Sequence, residues 1–221
     1  MHKALPCQAL VLDMDGVMLD SEPLWQQSEM EVFHAMGIPL TVEDCCLTTG
    51  LRVDEVVRYW GARLGGLPQG EERITASILD AVVGKIEAEA VPMPGLLELL
   101  EAMAQRGIPV ALASSSPRRV IEAVVRRLGL AHRLRLQQSA EGERWGKPHP
   151  AVFLNTAEAL GLPPEKCLVV EDSFNGMVAA LAARMPVVVM PAPHERHQSR
   201  WAAASAMIHS LEEQNILLAF F

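Results

Sequence analysis

Four short apolar runs constrain this chain most: Ala9-Leu10-Val11-Leu12, Ile108-Pro109-Val110-Ala111-Leu112, Cys167-Leu168-Val169-Val170 and Val187-Val188-Val189-Met190. None of them alternates apolar with polar residues, so neither face of such a strand suits water. Strands covered on both faces belong to a parallel sheet with helices packed above and below it. Helix-length amphipathic stretches do lie between the runs. One opens at Ser116-Pro117, a capping residue followed by proline, places Val120, Ile121, Val124, Val125 and Leu128 on one face, and stops at Gly129. A second starts near Pro150, carries Val152, Phe153, Ala157 and Leu160, and ends at Gly161. A third runs from Leu96 to Arg106 and stops at Gly107. The expected fold class is α/β, with a doubly wound, Rossmann-like parallel-sheet core.

Between the first run and Ile108 that rhythm fails. The spacing there predicts helices only: Leu24 to Met36 (closed by Gly37), Val53 to Leu64, and Glu71 to Glu89. A helix-only insertion directly after the first strand reads as a separate module over the strand ends. The expected division is therefore a core of residues 1–16 and 90–221 and an all-helical insertion of residues 17–89. Gly65-Gly66-Leu67-Pro68-Gln69-Gly70 joins two helices of that insertion, and the chain shows neither internal repeats nor low-complexity tracts.

Charge and cysteine usage narrow the function. With 19 basic and 27 acidic residues the net charge is −8, which opposes nucleic-acid or anionic-membrane partners. Any anionic substrate must then be held by a local positive arrangement. Cys7, Cys45, Cys46 and Cys167 form no CxxC pair, so neither a zinc knuckle nor a disulfide framework is expected. Free thiols and 11 methionines suit a reducing compartment. Asp13 and Asp15 interrupt the first apolar run, so no signal-peptide core forms, and no window approaches the ~18 uncharged apolar residues of a membrane span. A cytoplasmic protein is expected.

Two further features are set aside. His194 and His197 have a metal-pair spacing but no third ligand nearby. Arg118, Arg119, Arg126, Arg127, Arg133 and Arg135 fall opposite an apolar helix face without interleaved aromatics, which predicts a solvated face rather than an RNA surface. The apolar tail Ile216 to Phe221 is expected to pack on the core. A monomer is the expected state, with a dimer through that tail as the alternative.

Open parallel sheets bind ligands at the carboxyl ends of their strands, beside the topological switch point. The first strand ends at Asp13-Met14-Asp15-Gly16, the second at Ser114-Ser115-Ser116, and the strand from Cys167 at Glu171-Asp172-Ser173; Lys147 lies in the loop before Pro150. Singly, each has a structural explanation: a turn, a helix cap, a helix-dipole partner, a surface lysine. Together, acids, hydroxyls and a lysine converge from separate loops on the place where such a sheet builds its site.

These segments carry a family resemblance. Leu12-Asp13-Met14-Asp15-Gly16-Val17 followed by Asp20-Ser21-Glu22 resembles the first motif of the haloacid dehalogenase-like phosphohydrolases. Leu112-Ala113-Ser114-Ser115-Ser116 resembles the second, Gly146-Lys147-Pro148-His149-Pro150 the third, and Val170-Glu171-Asp172-Ser173-Phe174-Asn175-Gly176 the fourth. The motifs stand in order over nearly the whole chain, and the insertion sits where that family carries a mobile cap. Asp20-Ser21-Glu22-Pro23-Leu24-Trp25, Gly50-Leu51-Arg52 and Ala182-Ala183-Arg184-Met185 resemble the β-phosphoglucomutase-like branch and its bacterial hexitol and 2-deoxyglucose-6-phosphate phosphatases. Two positions depart from the common pattern: Leu12 replaces a frequent phenylalanine, and Arg184 stands where glycine often closes a helix.

The resemblance implies a Mg²⁺-dependent phosphomonoesterase acting on a small sugar or polyol phosphate. Asp13 would be the nucleophile and Asp15 the general acid and base. Asp13, Asp172 and the Asp15 carbonyl would ligate Mg²⁺, with Glu171 a ligand or an outer partner. Ser114, backbone N–H groups near Ser115, and Lys147 would hold the phosphate, Gly16 would give the tight turn, and Arg52 would face the substrate from the cap. A dehalogenase would not need the acid at Asp15. A phosphonatase would want a Schiff-base lysine in the cap, and Lys85, the sole lysine of the insertion, has no such setting. The alternatives are a sugar-phosphate mutase using the same residues and a non-catalytic binding protein, though every motif acid is retained.

Overall fold

The computed structural model describes residues 6–221; the first residues of the expected core segment, and of the stretch read as lacking a signal peptide, lie outside that range. Six strands, β1 (Ala9–Leu12), β2 (Val110–Ser114), β3 (Leu136–Ser139), β4 (Cys167–Glu171), β5 (Val187–Val189) and β6 (Ala206–Met207), form one sheet in the order β3-β2-β1-β4-β5-β6 with every pairing parallel. The order reverses between β1 and β4, so the switch point lies where Leu12 pairs with Val170.

Burial follows the strand period of two. Leu10, Leu12, Val110, Leu112, Leu168 and Val170 enter one hydrophobic cluster, while Ala9, Val11, Ala111, Ala113, Cys167 and Val169 enter the other. Both faces are covered, as the unalternated runs require. β2 starts two residues later than the apolar run suggests, after Pro109, which has no N–H for a ladder.

The insertion contains α1 (Glu22–His34), α2 (Val42–Cys45), α3 (Val53–Leu64) and α4 (Glu71–Glu89) and no strand among the described residues. The core adds α5 (Leu96–Gln105), α6 (Arg118–Arg127), α7 (Ala151–Leu160), α8 (Phe174–Ala182) and α9 (Gln214–Leu218). α7 and α8 cover one face of the sheet with Phe153, Ala157, Met177 and Ala180. α5 and α6 cover the other with Leu96, Leu99, Val120 and Val124, and that cluster continues into the insertion through Ile74, Ile78, Val82 and Ile86 of α4. No described helix is long and apolar enough to cross a membrane.

α4 packs along α6, and the arginine stretch is more than a solvated face. Arg119 pairs with Asp80 at 2.8 Å and Arg126 pairs with Glu87, two helical turns further along both helices. Arg127 Nε donates to the Ala90 carbonyl at 3.0 Å, and Arg133 meets Glu101 at 3.4 Å. These exposed ion pairs stabilise by about 0–1 kcal/mol each. The tail packs on the core as expected: Cys7 N donates to the Phe220 carbonyl at 2.7 Å, and Ile216, Leu218 and Phe221 rest on the cluster beneath.

Candidate active site

β1 and β4 run side by side and in register, so the residues that follow them emerge together. Asp13 N still donates to the Val170 carbonyl at 3.0 Å, which fixes the Asp13 side chain beside Glu171 and Asp172. Lys147 reaches in from the loop before α7. Its ammonium donates to Asp13 Oδ1 at 2.5 Å, to Glu171 Oε1 at 2.6 Å and to the Ala113 carbonyl at 3.4 Å. All three side chains are buried. The second oxygen of Glu171 accepts from the Ser173 N–H and hydroxyl, both at 2.9 Å. Both Glu171 oxygens are therefore engaged.

Two glycines permit this crowding. A Cβ on Gly176 would fall inside the Glu171 carboxylate. One on Gly16, at φ +72, would overlap the Asp172 carboxylate and strain the backbone as well.

Carboxylate oxygens of Asp13, Glu171 and Asp172 all lie within 4.8 Å of one another. Burial pushes the Asp13 carboxyl up to about 8 despite the opposing Lys147 charge, and it raises Asp172 well above the carboxylate range, with Glu171 and Asp13 adding repulsion. Burial also works against the Lys147 charge, yet Asp13 and Glu171 outweigh it and hold the ammonium above its ordinary pKa. One lysine among three carboxylates leaves the cluster short of positive charge. An all-oxygen donor set of this kind fits a hard divalent cation.

Asp15 sits across the cleft and is fully hydrogen-bonded. Ser21 Oγ (2.5 Å) and Trp25 Nε1 (3.0 Å) donate to Oδ1, and Ser116 Oγ (2.8 Å) and Ser114 Oγ (3.4 Å) to Oδ2. Ser114 Oγ in turn accepts from Ser116 N at 3.0 Å. The first two partners come from the insertion and the last two from the core.

One cleft of about 120 Å³ is lined by Asp13, Asp15, Gly16, Arg52, Ser114, Ser115, Lys147, Glu171 and Asp172, so every candidate from the sequence meets there. Arg52 is not solvated at its helix terminus. Its guanidinium grips Asp54 with two bonds of 2.9 and 3.0 Å and donates to the Glu143 carbonyl of the core at 3.0 Å. The cleft wall also includes Ser21, Trp25, Ser116 and Glu29, which the sequence reading did not select. Ser21, Trp25 and Ser116 stand inside the motifs it quoted. Glu29 gives no local signal.

A doubly wound sheet with an acid cluster and a buried lysine at its switch point, under a helical insertion, defines an α/β protein with a site built for an anionic ligand and a hard cation. The chain belongs to the haloacid dehalogenase-like hydrolases, the family that matches residues 7–184. It is 35% identical over 206 residues to hexitol phosphatase B of Escherichia coli (strain K12), covering 93% of each chain. It is 29% identical over 190 residues to the phosphorylated carbohydrates phosphatase of Thermotoga maritima, covering 80% of this chain and 81% of that one. In structure it is similar to CbbY from Rhodobacter sphaeroides in complex with phosphate, with a TM-score of 0.84 over 94% of this chain and 96% of that one. At 24% identity that likeness is one of fold.

Proposed function

We propose that the protein is a Mg²⁺-dependent phosphomonoesterase for small sugar or sugar-alcohol phosphates, that it works through an aspartyl-phosphate on Asp13, and that residues 17–89 are its cap. The observation that carries this reading is the buried Asp13–Lys147–Glu171 chain, with Asp172 beside it and Asp15 across the same cleft.

Phosphoryl transfer asks for positioning and charge neutralisation more than for acid strength. Lys147 orients the Asp13 carboxylate, offsets its charge and that of the arriving phosphate, and Ser114 with the N–H groups near Ser115 receives the phosphate oxygens at the start of α6. An Asp13 oxygen forms a bond to phosphorus as the ester P–O bond breaks, and the alkoxide takes a proton from Asp15. Water then gives a proton to Asp15 and attacks phosphorus, and the P–O bond to Asp13 breaks to regenerate the carboxylate. Because Ser21 and Trp25 belong to the insertion, its movement would change the hydrogen bonds of Asp15.

Asp13, Asp172 and the Asp15 carbonyl would hold Mg²⁺, which when bound neutralises charge on the transferring phosphoryl group. With both its oxygens engaged, Glu171 would support this set as a positioning residue. A mutase would need a second phosphate site. Apart from Lys147, which serves the transferring phosphate, Arg52 is the basic residue among the described lining of the cleft, and it is already held by Asp54 and the Glu143 carbonyl, which favours hydrolysis.

Phosphate release from hexose, deoxyhexose and hexitol phosphates, phosphoglycolate and nucleotides, with Mg²⁺ and then with EDTA, tests the reading. Metal-dependent release favouring one sugar class is expected. Turnover that requires added sugar bisphosphate would replace it with the mutase.

A further inference from the structure

Beyond the phosphate end, one face of α1 forms the wall of the cleft. Glu22, Trp25, Gln26 and Glu29 stand on it at helical spacing. Trp25 is bonded to Asp15, so Glu29 lies one turn further from the reacting end, about 6 Å along the helix.

Glu29 is only 7% exposed, yet its Oε2 is buried without a hydrogen-bond partner among the described residues. Glu22 is served by Gln26 at 2.9 Å and Thr49 at 2.7 Å. Neither basic residue of the wall turns to Glu29, because Lys147 is held by Asp13 and Glu171, and Arg52 by Asp54 and the Glu143 carbonyl. Burial pushes its carboxyl up to about 7, opposed by the Cys45 thiol and helped by Glu22. Packing alone would be better served by glutamine or methionine, since a buried carboxylate without donors is costly. The cleft is the side from which a donor to Oε2 can come.

We infer that Glu29 is the specificity-determining residue of the cleft: its carboxylate accepts hydrogen bonds from hydroxyls of a neutral, polyhydroxylated leaving group and turns away a leaving group that is itself anionic. Vicinal hydroxyls match the two oxygens of a carboxylate. A second phosphate or a carboxylate would meet Glu22 and Glu29 with no free cation in between among the described residues. The inference rests on the phosphomonoesterase reading above.

The test compares kcat/KM of the Mg²⁺-loaded full-length enzyme on a hexitol 6-phosphate, propyl phosphate, 2-aminoethyl phosphate and a hexose bisphosphate. The wild type is expected to favour the hexitol phosphate over propyl phosphate by at least about tenfold, as hydrogen bonds to a charged group allow. Glu29→Gln should cut that preference by about tenfold or more, chiefly through KM, and narrow the discrimination against the bisphosphate. Equal loss on every ester would make Glu29 merely structural and overturn the inference. Preference of the wild type for the aminoethyl ester, or for none of the four, would overturn it without any variant. No release from any ester would overturn the phosphatase reading and this inference with it, whereas release without leaving-group preference overturns this inference alone.

Discussion

Glu171 and Glu29 are buried carboxylates on the wall of the same cleft, and the protein treats them oppositely. Glu171, fully buried at the end of β4, accepts from Lys147 and twice from Ser173. Glu29, on α1 of the insertion, is left with an oxygen that nothing among the described residues serves. On the proposed function the phosphate end is assembled before substrate arrives, because every substrate would bring the same phosphate, and preorganised charge costs no rearrangement at the moment of reaction. On the same reading the leaving-group end stays incomplete, because the part of the substrate that varies would complete it.

The largest effect separates the two ends outright. Asp13→Asn removes the proposed nucleophile while keeping its shape, and should lower phosphate release from every ester by at least about 10⁴-fold. Circular dichroism should show the fold unchanged. Full activity in this variant would break the assignment of the phosphate end.

Next in size is Lys147→Met. It strands Asp13 and Glu171 without their counter-charge, and breaking a buried ion pair from one side costs about 3–5 kcal/mol. Urea denaturation at pH 7.5 without added metal should show that loss, and a loss below about 1 kcal/mol would mean that the phosphate end is not held together by this lysine.

Glu29 gives the opposite sign. Its folded-state pKa is about 7 against a reference of 4.5, so the carboxyl binds its proton more tightly in the folded protein. The stability this contributes is present in full below the reference pKa and is lost as pH rises through about 7. Glu29→Gln should therefore be more stable than the wild type at pH 8 by up to about 3 kcal/mol, with the gap closing toward pH 5. Thermal melts across that range would show it, and a variant less stable at pH 8 would make Glu29 a structural residue like Glu171.

The smallest effect lies away from both ends. Arg184 follows α8 with φ +63, the sole positive φ of a non-glycine residue among those described. Arg184→Gly should stabilise by about 1 kcal/mol, read as a modest rise in Tm, with activity unchanged.

How far the sequence showed all this depends on where each residue gets its environment. β1, β2, β4 and β5 announce themselves because burial on both faces demands unbroken apolar runs. β3 does not: it is an edge strand, and Gln137 and Gln138 are only half-buried there. β6 has two residues and α2 four, too short for any periodicity to register. Asp13 and Asp172 were legible because a parallel sheet places its chemistry at strand ends, whatever covers it, and Lys147 because Gly146-Lys147-Pro148-His149-Pro150 resembles a family motif. Trp25 and Glu29 were not, since they reach the cleft only through the way α1 docks over those ends. Arg184 could be flagged as a departure from glycine, but only the backbone shows its left-handed conformation.

The central claim is that phosphorus passes through Asp13 on its way to water. Each in-line displacement inverts the configuration at phosphorus, so two in succession restore it. Hydrolysis of a hexitol phosphorothioate made chiral with ¹⁸O, run in ¹⁷O-enriched water, reads this directly. Overall retention is the predicted result; inversion would mean that water attacks the substrate itself and that Asp13 is not the nucleophile.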